Sequence, residues 1–166
     1  MELTNLSQDY TVRKLDHNDI DIIFELSKPN YIFYHYHPPF VTKSSILEDM
    51  NALPPGKDYN HKYYIGFFDQ NKLIAVMDLI LGFPTDSIAF IGLFMTDVSV
   101  QGKGIGSKII SECIFYLTLL GYKSVRLGID KGNPQSAAFW TKNHFAETGI
   151  ETQGDVSVLV TLERIL

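Results

Sequence analysis

Residues Gln101 to Ser107, which read Gln-Gly-Lys-Gly-Ile-Gly-Ser, are the most informative segment of this chain. It follows an apolar run at positions 88–100 that predicts a strand, and it opens an amphipathic run at positions 105–120 that predicts a helix. Three glycines at alternate positions let the backbone turn sharply, and no Cβ atom keeps a ligand from the converging N–H groups. The helix adds unsatisfied N–H groups and the positive end of its dipole. The stretch therefore predicts a cradle for a phosphate or pyrophosphate, and a tight turn without a ligand is the simpler alternative.

Two other phosphate-binding motifs fit this stretch less well. A Walker loop requires Gly-x4-Gly-Lys-Ser/Thr, whereas Lys103 lies between two glycines and no Gly-Lys-Ser/Thr occurs in the chain. The dinucleotide fingerprint G-x-G-x-x-G, counted from Gly102, requires a glycine where Ser107 stands.

Length and composition are those of an ordinary globular protein. A chain of 166 residues favours a single domain over residues 1–166. The formal net charge of −5 argues against nucleic acid as a partner. A polyanionic ligand would then need local positive charge, which two stretches without acids supply through Lys103 and Lys108 and through Lys131 and Lys142.

The chain carries no pattern that predicts export or a membrane span. Its first residues lack the basic and apolar segments of a signal peptide, and no uninterrupted apolar run reaches about 18 residues. We therefore expect a cytoplasmic protein with no membrane contact. The single cysteine, Cys113, falls on the apolar face of its predicted helix, which indicates a packing residue rather than a nucleophile.

Hydrophobic periodicity and turn residues predict a mixed α/β chain. An antiparallel meander is followed by one strand–helix–strand crossover and two closing strands around Gly154-Asp155, while the aromatic stretch 31–37 reads as a connection between helices. The predicted strands are 10–15, 62–68, 73–81, 88–100, 124–130, 145–151 and 156–166, and the predicted helices are 16–27, 43–50, 105–120 and 134–143.

Two separated segments together resemble the GNAT N-acetyltransferase superfamily. The segment Val98-Ser99-Val100-Gln101-Gly102-Lys103-Gly104-Ile105-Gly106 is similar to the family's Gln/Arg-x-x-Gly-x-Gly/Ala motif. The segment Asn133-Pro134-Gln135-Ser136-Ala137-Ala138-Phe139-Trp140-Thr141-Lys142-Asn143-His144-Phe145 is similar to its later Asn-Pro-x-x-Ala…Phe-Tyr-x-Lys-x-Gly-Phe segment. Their order and spacing also suit the family.

The resemblance implies a fold, a donor and a reaction. The fold would be a mixed, mostly antiparallel sheet with helices on both faces, in which splayed central strands form a slot for acetyl-coenzyme A. An amine would attack the thioester directly, and no metal is expected. By analogy, the residues that contact the donor would be Met95, Thr96, Asp97, Val98, Gln101, Gly102, Lys103, Gly104, Ile105, Gly106, Ser107, Asn133, Ser136, Phe139, Trp140 and Lys142.

The usual catalytic side chains of the family are absent from this sequence. Trp140 stands at the position of the tyrosine acid, and Phe90 and Gly128 stand at two common positions of the base. His144 replaces the glycine of the later motif. An indole N–H donates a hydrogen bond but does not release its proton at useful pH.

Substitute residues are predicted from their positions on the strands and in the aromatic stretch. Asp78 lies in an otherwise apolar strand and would anchor or deprotonate an amine if it faced the cleft, although an outward, solvated position is the simpler expectation. Asp97 and Asp130 are expected to be solvated at strand ends. The aromatic stretch would cover the acceptor through Tyr34, His35 and Tyr36; His35-x-His37 lacks a third metal ligand.

Three functions remain open at this point. The leading one is acetylation of a primary amine on a small molecule or a protein, the second is a catalytically silent acyl-coenzyme A-binding module, and the third is a nucleotide-binding regulator. A homodimer would be formed if an edge strand such as 156–166 paired with a second copy.

Overall fold

The computed structural model describes residues 1–154 and 156–166 and places seven strands in one sheet, in the order β1-β2-β3-β4-β5-β7-β6. The strands are β1 (Thr11–Lys14), β2 (Lys62–Asp69), β3 (Lys72–Leu81), β4 (Ile88–Thr96), β5 (Ser124–Asp130), β6 (Ala146–Gln153) and β7 (Val158–Ile165). The helices are α1 (Ile20–Ser27), α2 (Tyr31–Tyr36), α3 (Lys43–Asn51), α4 (Ile105–Leu119) and α5 (Pro134–Lys142).

The sheet is mostly antiparallel and contains a single parallel pair. Strands β2, β3 and β4 form the predicted meander, and α4 connects β4 to the parallel strand β5. The pairing of β4 with β5 extends only from Ile88 opposite Ser124 to Ile91 opposite Leu127. Beyond that pair the two strands have no ladder between them, so they splay apart as the family resemblance implies.

Helices cover both faces of the sheet. Apolar residues of α4 and α5, such as Ile109 and Trp140, pack into one buried cluster with the sheet. Residues of α1 and α3, such as Ile23 and Ile46, form a second cluster against the other face, which we call the α1–α3 face. Cys113 is 2% exposed in the first cluster, and burial raises the pKa of its thiol. It is therefore a packing residue, as predicted.

Two predicted elements were wrong in detail. The strand predicted to reach Val100 ends at Thr96, because the Asp97 carboxylate accepts a hydrogen bond from the Ser99 N–H over 2.7 Å and turns Val98–Val100 into a 3-10 helix. The aromatic stretch is not a connection but the helix α2.

The predicted edge strand near the carboxyl terminus is an inner strand. β7 lies between β5 and β6, so β6 and not β7 forms the edge of the sheet on this side. The predicted turn at Gly154-Asp155 includes Asp155, which lies outside the described residues. Within the described ranges, no helix has both the length and the apolar character that crossing a membrane requires.

Candidate functional site

A cavity of about 290 Å³ opens where β4 and β5 separate. One end lies at the glycine loop, and its walls come from the end of β4, the start of α2 and helix α5. The lining residues are Asn30, Phe33, Phe94, Met95, Thr96, Val100, Gln101, Gly102, Gly104, Gly106, Ser107, Gln135, Ser136, Phe139, Trp140 and Lys142.

The glycine loop has the geometry of an anion cradle. Gly102 and Gly104 have φ values of 72° and 81°, which L side chains rarely adopt, and a Cβ atom on either would meet open space. The first intrahelical bond of α4 runs from the Lys108 N–H to the Gly104 carbonyl over 3.0 Å, so the preceding N–H groups of the first turn have no helical acceptor. These donors and the dipole of a helix of 15 residues favour a phosphate at the loop.

Gly106 serves close packing rather than backbone flexibility. A Cβ atom there would lie 3.2 Å from Phe139 Cε2 and 3.5 Å from Thr96 Cγ2. The missing side chain therefore lets α4, α5 and the end of β4 approach one another around the cavity.

The local positive charge differs from the sequence expectation. Lys108 turns away from the loop and pairs with Asp9, so its charge is directed elsewhere. Lys131 pairs with Glu151 over 2.8 Å. Lys142 lines the cavity and Lys103 lies exposed within the loop, so these two lysines remain the cations beside the cradle.

Aromatic rings form one wall of the cavity. Phe94 stacks on Phe139 with ring centroids 5.8 Å apart, and Trp140 packs edge-on against Phe139 and Phe145 at 5.0 Å each. Trp140 is 7% exposed and belongs to the core while its edge borders the cavity. This wall supplies shape and a dry environment but no acidic proton.

A network of two amides closes the end of β4. The Gln101 side chain donates to Asn30 Oδ1 over 2.9 Å and to the Thr96 carbonyl over 3.3 Å, and Asn30 donates to the same carbonyl over 3.2 Å. Asn30 is also 9% exposed and donates to the Leu26 carbonyl over 3.0 Å. The start of α2 is thereby attached to the glycine loop.

Several residues predicted to meet the donor do not line the cavity. Asp97 faces Lys72 over 2.9 Å, and its N–H donates to the Ile74 carbonyl over 2.9 Å. Asn133 is 1% exposed, and its Oδ1 caps α5 by accepting from the N–H groups of Gln135 and Ser136 over 3.1 Å each. Its Nδ2 is buried without a hydrogen-bond partner among the described residues. The other predicted residues away from the cavity wall are Val98, Lys103 and Ile105.

On the α1–α3 face, two glycines flank the point where the strands separate. Gly92 and Gly128 are the first residues beyond the last β4–β5 pair, and both are exposed. Because neither glycine carries a side chain, neither covers the sheet at the point where β4 and β5 begin to separate. Phe90, at the other common base position, instead packs edge-on against Phe83 at 5.4 Å.

Asp78 lies directly over this bare region, which corrects the expectation of an outward, solvated side chain. A Cβ on Gly92 would be 2.8 Å from Asp78 Oδ2, which also accepts a hydrogen bond from Lys62 Nζ over 2.7 Å. Asp78 is 9% exposed and Lys62 5%. Asp78 Oδ1 is buried without a hydrogen-bond partner within the described residues. Burial raises the pKa of the Asp78 carboxyl, and the Lys62 ammonium opposes that rise.

Further polar groups surround Asp78 on the same face. Asp49 of α3 reaches the surface, but the atoms packed around it and the charge of Asp78 raise the pKa of its carboxyl. Burial raises the pKa of Tyr34 to about 12, and burial and the Asp49 charge raise that of Tyr64. Both phenols are therefore neutral near pH 7.

The remaining aromatic residues of α2 divide between surface and site. His35 is exposed and packs edge-on against Tyr36 at 5.0 Å, so neither faces the cavity wall. His37 at the end of α2 donates from Nδ1 to Asp130 Oδ1 over 2.9 Å. Asp130 is 5% exposed, which corrects the expectation that it is solvated.

Sequence reasoning missed several residues that reach the site, most of them outside the two motifs. Asn30, Phe33, Phe94, Val100 and Gln135 line the cavity, and Asp49 and Lys62 surround Asp78. Four of these residues are adjacent in sequence to predicted site residues, namely Phe33, Phe94, Val100 and Gln135. Asn30, Asp49 and Lys62 are not. Among the described residues, no three His, Cys, Asp or Glu side chains are grouped as a metal site requires.

Comparison with solved structures shows where this fold has been seen. An acetyltransferase from Thermus thermophilus superposes with a TM-score of 0.74 at 18% identity, covering 96% of this chain and 98% of that one. RimL, a ribosomal L7/L12 alpha-N-protein acetyltransferase, superposes with a TM-score of 0.73 at 20% identity, covering 99% of this chain and 94% of RimL. PaiA N-acetyltransferase from Thermoplasma acidophilum, in complex with coenzyme A, superposes with a TM-score of 0.69 at 18% identity, covering 96% of this chain and 100% of that one. At these identities the likeness shows the fold.

Comparison of sequences gives the family. No curated protein sequence matches the chain significantly. The sequence model of the Acetyltransferase (GNAT) family, however, matches residues 20–145, a span that contains the glycine loop, both splayed strands and α5. The chain therefore belongs to the GNAT acetyltransferase family.

Proposed function

We propose that this protein transfers an acetyl group from acetyl-coenzyme A to a primary amine. The observation that carries the proposal is the slot between β4 and β5, which has an anion cradle at one end and two side-chain-free positions, Gly92 and Gly128, at the other. We infer that the slot joins a site for a phosphorylated donor at the loop to an acceptor position on the α1–α3 face. The solved structure of PaiA in complex with coenzyme A supports a donor of this kind.

The donor would lie along the slot with its pyrophosphate at the glycine loop. The N–H groups of the loop and of the first turn of α4 would hold the phosphates, with Lys103 and Lys142 supplying charge. The unpaired edge of β4 at Met95 and Thr96 would flank the arm, and Phe139 and Trp140 would exclude water. Acetyl-coenzyme A would supply an activated acyl group as a thioester.

The acceptor would approach from the opposite face, above Gly92 and Gly128. Asp78 Oδ1 is a buried acceptor without a hydrogen-bond partner there among the described residues, so we assign it the amine. A carboxylate beside an ammonium forms a charge-assisted hydrogen bond, and Lys62 would hold the other oxygen in place. Tyr34, His35 and Tyr36 of α2 remain proposed acceptor contacts.

The chemical problem on this face is the proton of the amine. A lysine-like amine has a pKa of about 10.4, so about one molecule in 2,500 is neutral at pH 7. That shortage corresponds to about 4.6 kcal/mol of barrier. Orientation in the slot lowers the barrier further, but a group that accepts the proton is still needed for efficient transfer.

The first experiment is a calorimetric titration of the full chain with acetyl-coenzyme A, with ATP as the control ligand. We expect binding of acetyl-coenzyme A and none of ATP. A panel of primary amines, including a polyamine, free lysine and a peptide with a free amino terminus, then tests turnover by release of free thiol. ATP binding without coenzyme A binding would instead indicate a nucleotide-binding regulator.

The variant Asp78→Asn tests the acceptor side separately from the donor side. It should raise KM for the amine at least tenfold while the affinity for acetyl-coenzyme A stays unchanged. Asp58→Asn, which alters an exposed carboxylate paired with His61 over 2.7 Å, is the matched control. Tight acetyl-coenzyme A binding with no turnover on any amine would favour a silent acyl-coenzyme A-binding module.

A further inference from the structure

His37 and Asp130 form a histidine–carboxylate pair at the end of β5. Asp130 Oδ1 accepts a hydrogen bond from His37 Nδ1 over 2.9 Å and a second, short one from the Ser157 hydroxyl. Asp130 is 5% exposed, whereas the His37 side chain is 44% exposed. The carboxylate is thus held inside the protein, and the imidazole that it orients reaches the surface.

The pair lies on the face of the sheet from which the acceptor would approach. Asp130 lies two residues after Gly128 on β5, so both face the same side of the sheet. His37 packs against Phe33, with ring centroids 5.4 Å apart, and Phe33 lines the cavity. Helix α2 therefore runs across the gap between β4 and β5. It starts near the end of β4, and His37, which follows its last turn, contacts β5.

We propose that His37 is the general base of the reaction and that Asp130 is its positioning residue. An ionised carboxylate only accepts hydrogen bonds, so the bond to Asp130 places the hydrogen on Nδ1 and leaves the lone pair of Nε2 available. No described residue donates to Nε2. The inference rests on the proposed amine acetylation and adds a proton acceptor to it.

The step balances with groups already named. Nε2 of His37 takes one proton from the bound ammonium, and the neutral nitrogen then bonds to the thioester carbon. The C–S bond breaks, coenzyme A leaves with the electron pair of that bond, and the second proton of the nitrogen passes to the departing thiolate. His37, being half exposed, then returns the proton to solvent, so no further reactant is required.

Charge separates the role of His37 from that of Asp78. An anion beside an ammonium stabilises the charged form and so raises the pKa of the amine, which favours binding but opposes deprotonation. A neutral imidazole carries no such charge and accepts a proton in the pH range where enzymes act. Asp78 is therefore assigned the role of binding the amine, and His37 the role of accepting its proton.

The charged groups around His37 come from two further elements. Asp130 contacts it from β5, and the His37 charge also lowers the pKa of Asp49 on α3. Ser157 contacts the pair through Asp130. Because the base must be neutral to act, any loss of kcat/KM at acid pH should depend on His37.

The test compares His37→Gln with the wild-type enzyme at saturating acetyl-coenzyme A and its best amine. We expect kcat/KM for the amine to fall by about a hundredfold, since general bases contribute about 10²–10⁴. The acid limb of the pH profile should disappear, the affinity for acetyl-coenzyme A should stay unchanged, and imidazole should partly restore His37→Ala. His61→Gln is the matched control, because His61 forms the same kind of pair with Asp58 over 2.7 Å on an exposed loop.

Asp130→Asn tests the positioning role. It should lower kcat at least tenfold with little change in KM for acetyl-coenzyme A. Proton–nitrogen NMR of the wild-type imidazole needs no variant and should show hydrogen on Nδ1 and none on Nε2 at pH 8.

The outcomes separate this inference from the proposed function. An enzyme that acetylates amines while His37→Gln keeps kcat/KM within twofold and the same pH profile would overturn the role of His37 alone. Hydrogen on Nε2 in the NMR experiment would do the same. A wild-type protein that acetylates no amine would overturn the proposed function, and the role of His37 with it.

Discussion

The buried pair of Lys62 and Asp78 should make Lys62→Met strongly and pH-dependently destabilising. The Lys62 side chain is 3% exposed and that of Asp78 12%. Removing one partner of a buried pair leaves an uncompensated charge, which costs about 3–5 kcal/mol at neutral pH. In a chain of this size 1 kcal/mol corresponds to about 2–4 °C in Tm, so we expect a decrease of at least about 6 °C.

The pH dependence follows from the pKa of Asp78. Burial already raises that pKa above 3.8 in the folded protein, and removing the Lys62 ammonium raises it further. Ionising Asp78 therefore costs stability as pH rises above the unfolded value, and more so in the variant. The stability deficit of Lys62→Met relative to the wild type should grow from pH 4 to pH 8, and at the acid end protonation of the carboxyl should remove most of it.

The assay is thermal and urea unfolding of four proteins at both pH values. Lys43→Met is the matched control, since Lys43 pairs with Asp21 over 2.8 Å but both side chains are more than half exposed; it should cost at most about 1 kcal/mol. Lys62→Met/Asp78→Leu removes both charges and should recover most of the loss. If Lys62→Met cost no more than Lys43→Met, or the same at pH 4 and pH 8, the assignment of Asp78 as a buried anion would be refuted.

Four further substitutions test the donor side and its supports. Gly106→Ala should weaken acetyl-coenzyme A binding in calorimetry, because its Cβ would lie 3.2 Å from Phe139, whereas unchanged affinity would show that the wall yields. Gly104→Ala should destabilise by about 1–2 kcal/mol in urea unfolding, because φ is 81° there although space is open. His144→Gly should leave stability unchanged or raise it by up to about 1 kcal/mol, since His144 has φ 65° at the glycine position of the motif. Asn133→Ala should cost about 1 kcal/mol by loss of the α5 cap, and a larger loss would show that the buried amide does more than cap the helix.

The glycine loop and the cap of α5, which belong to the proposed donor side, could be predicted from the sequence because contiguous residues encode them. The turn, the first turn of α4 and the cap of α5 each depend on residue types within a few positions, such as the glycines of the loop and Asn133 before Pro134. Positive φ at Gly102 and Gly104 is a local requirement that only a few residues meet. The parallel crossover followed from the same local pattern.

The proposed acceptor side could be predicted only in part, because contacts between separate segments create it. The sequence singled out Asp78 but favoured a solvated position for it. Asp78 meets Lys62 because β2 and β3 pair with Lys62 opposite Ile80, and a bulge between Phe67 and Phe68 shifts this pairing from the register that the turn alone would set. His37 meets Asp130 across 93 positions of sequence. The end of β4 at Thr96 was missed for a related reason, since a single side-chain bond from Asp97 overrides the apolar pattern of the following residues.

The replacement of the family tyrosine by Trp140 is tolerable for a quantitative reason. A thiol of pKa about 8.5 leaves as a thiolate at pH 7 at a disadvantage of about 2 kcal/mol, whereas the amine proton represents about 4.6 kcal/mol. The absence of a general acid thus adds less to the barrier than the absence of a general base would, so a base is the more important of the two groups. The distribution of polar residues agrees with this order, since the wall around Trp140 is aromatic while Asp78, Asp49 and His37 all lie on the α1–α3 face. An enzyme arranged in this way should be limited by deprotonation of the acceptor, so acceptors of lower pKa should react faster at neutral pH.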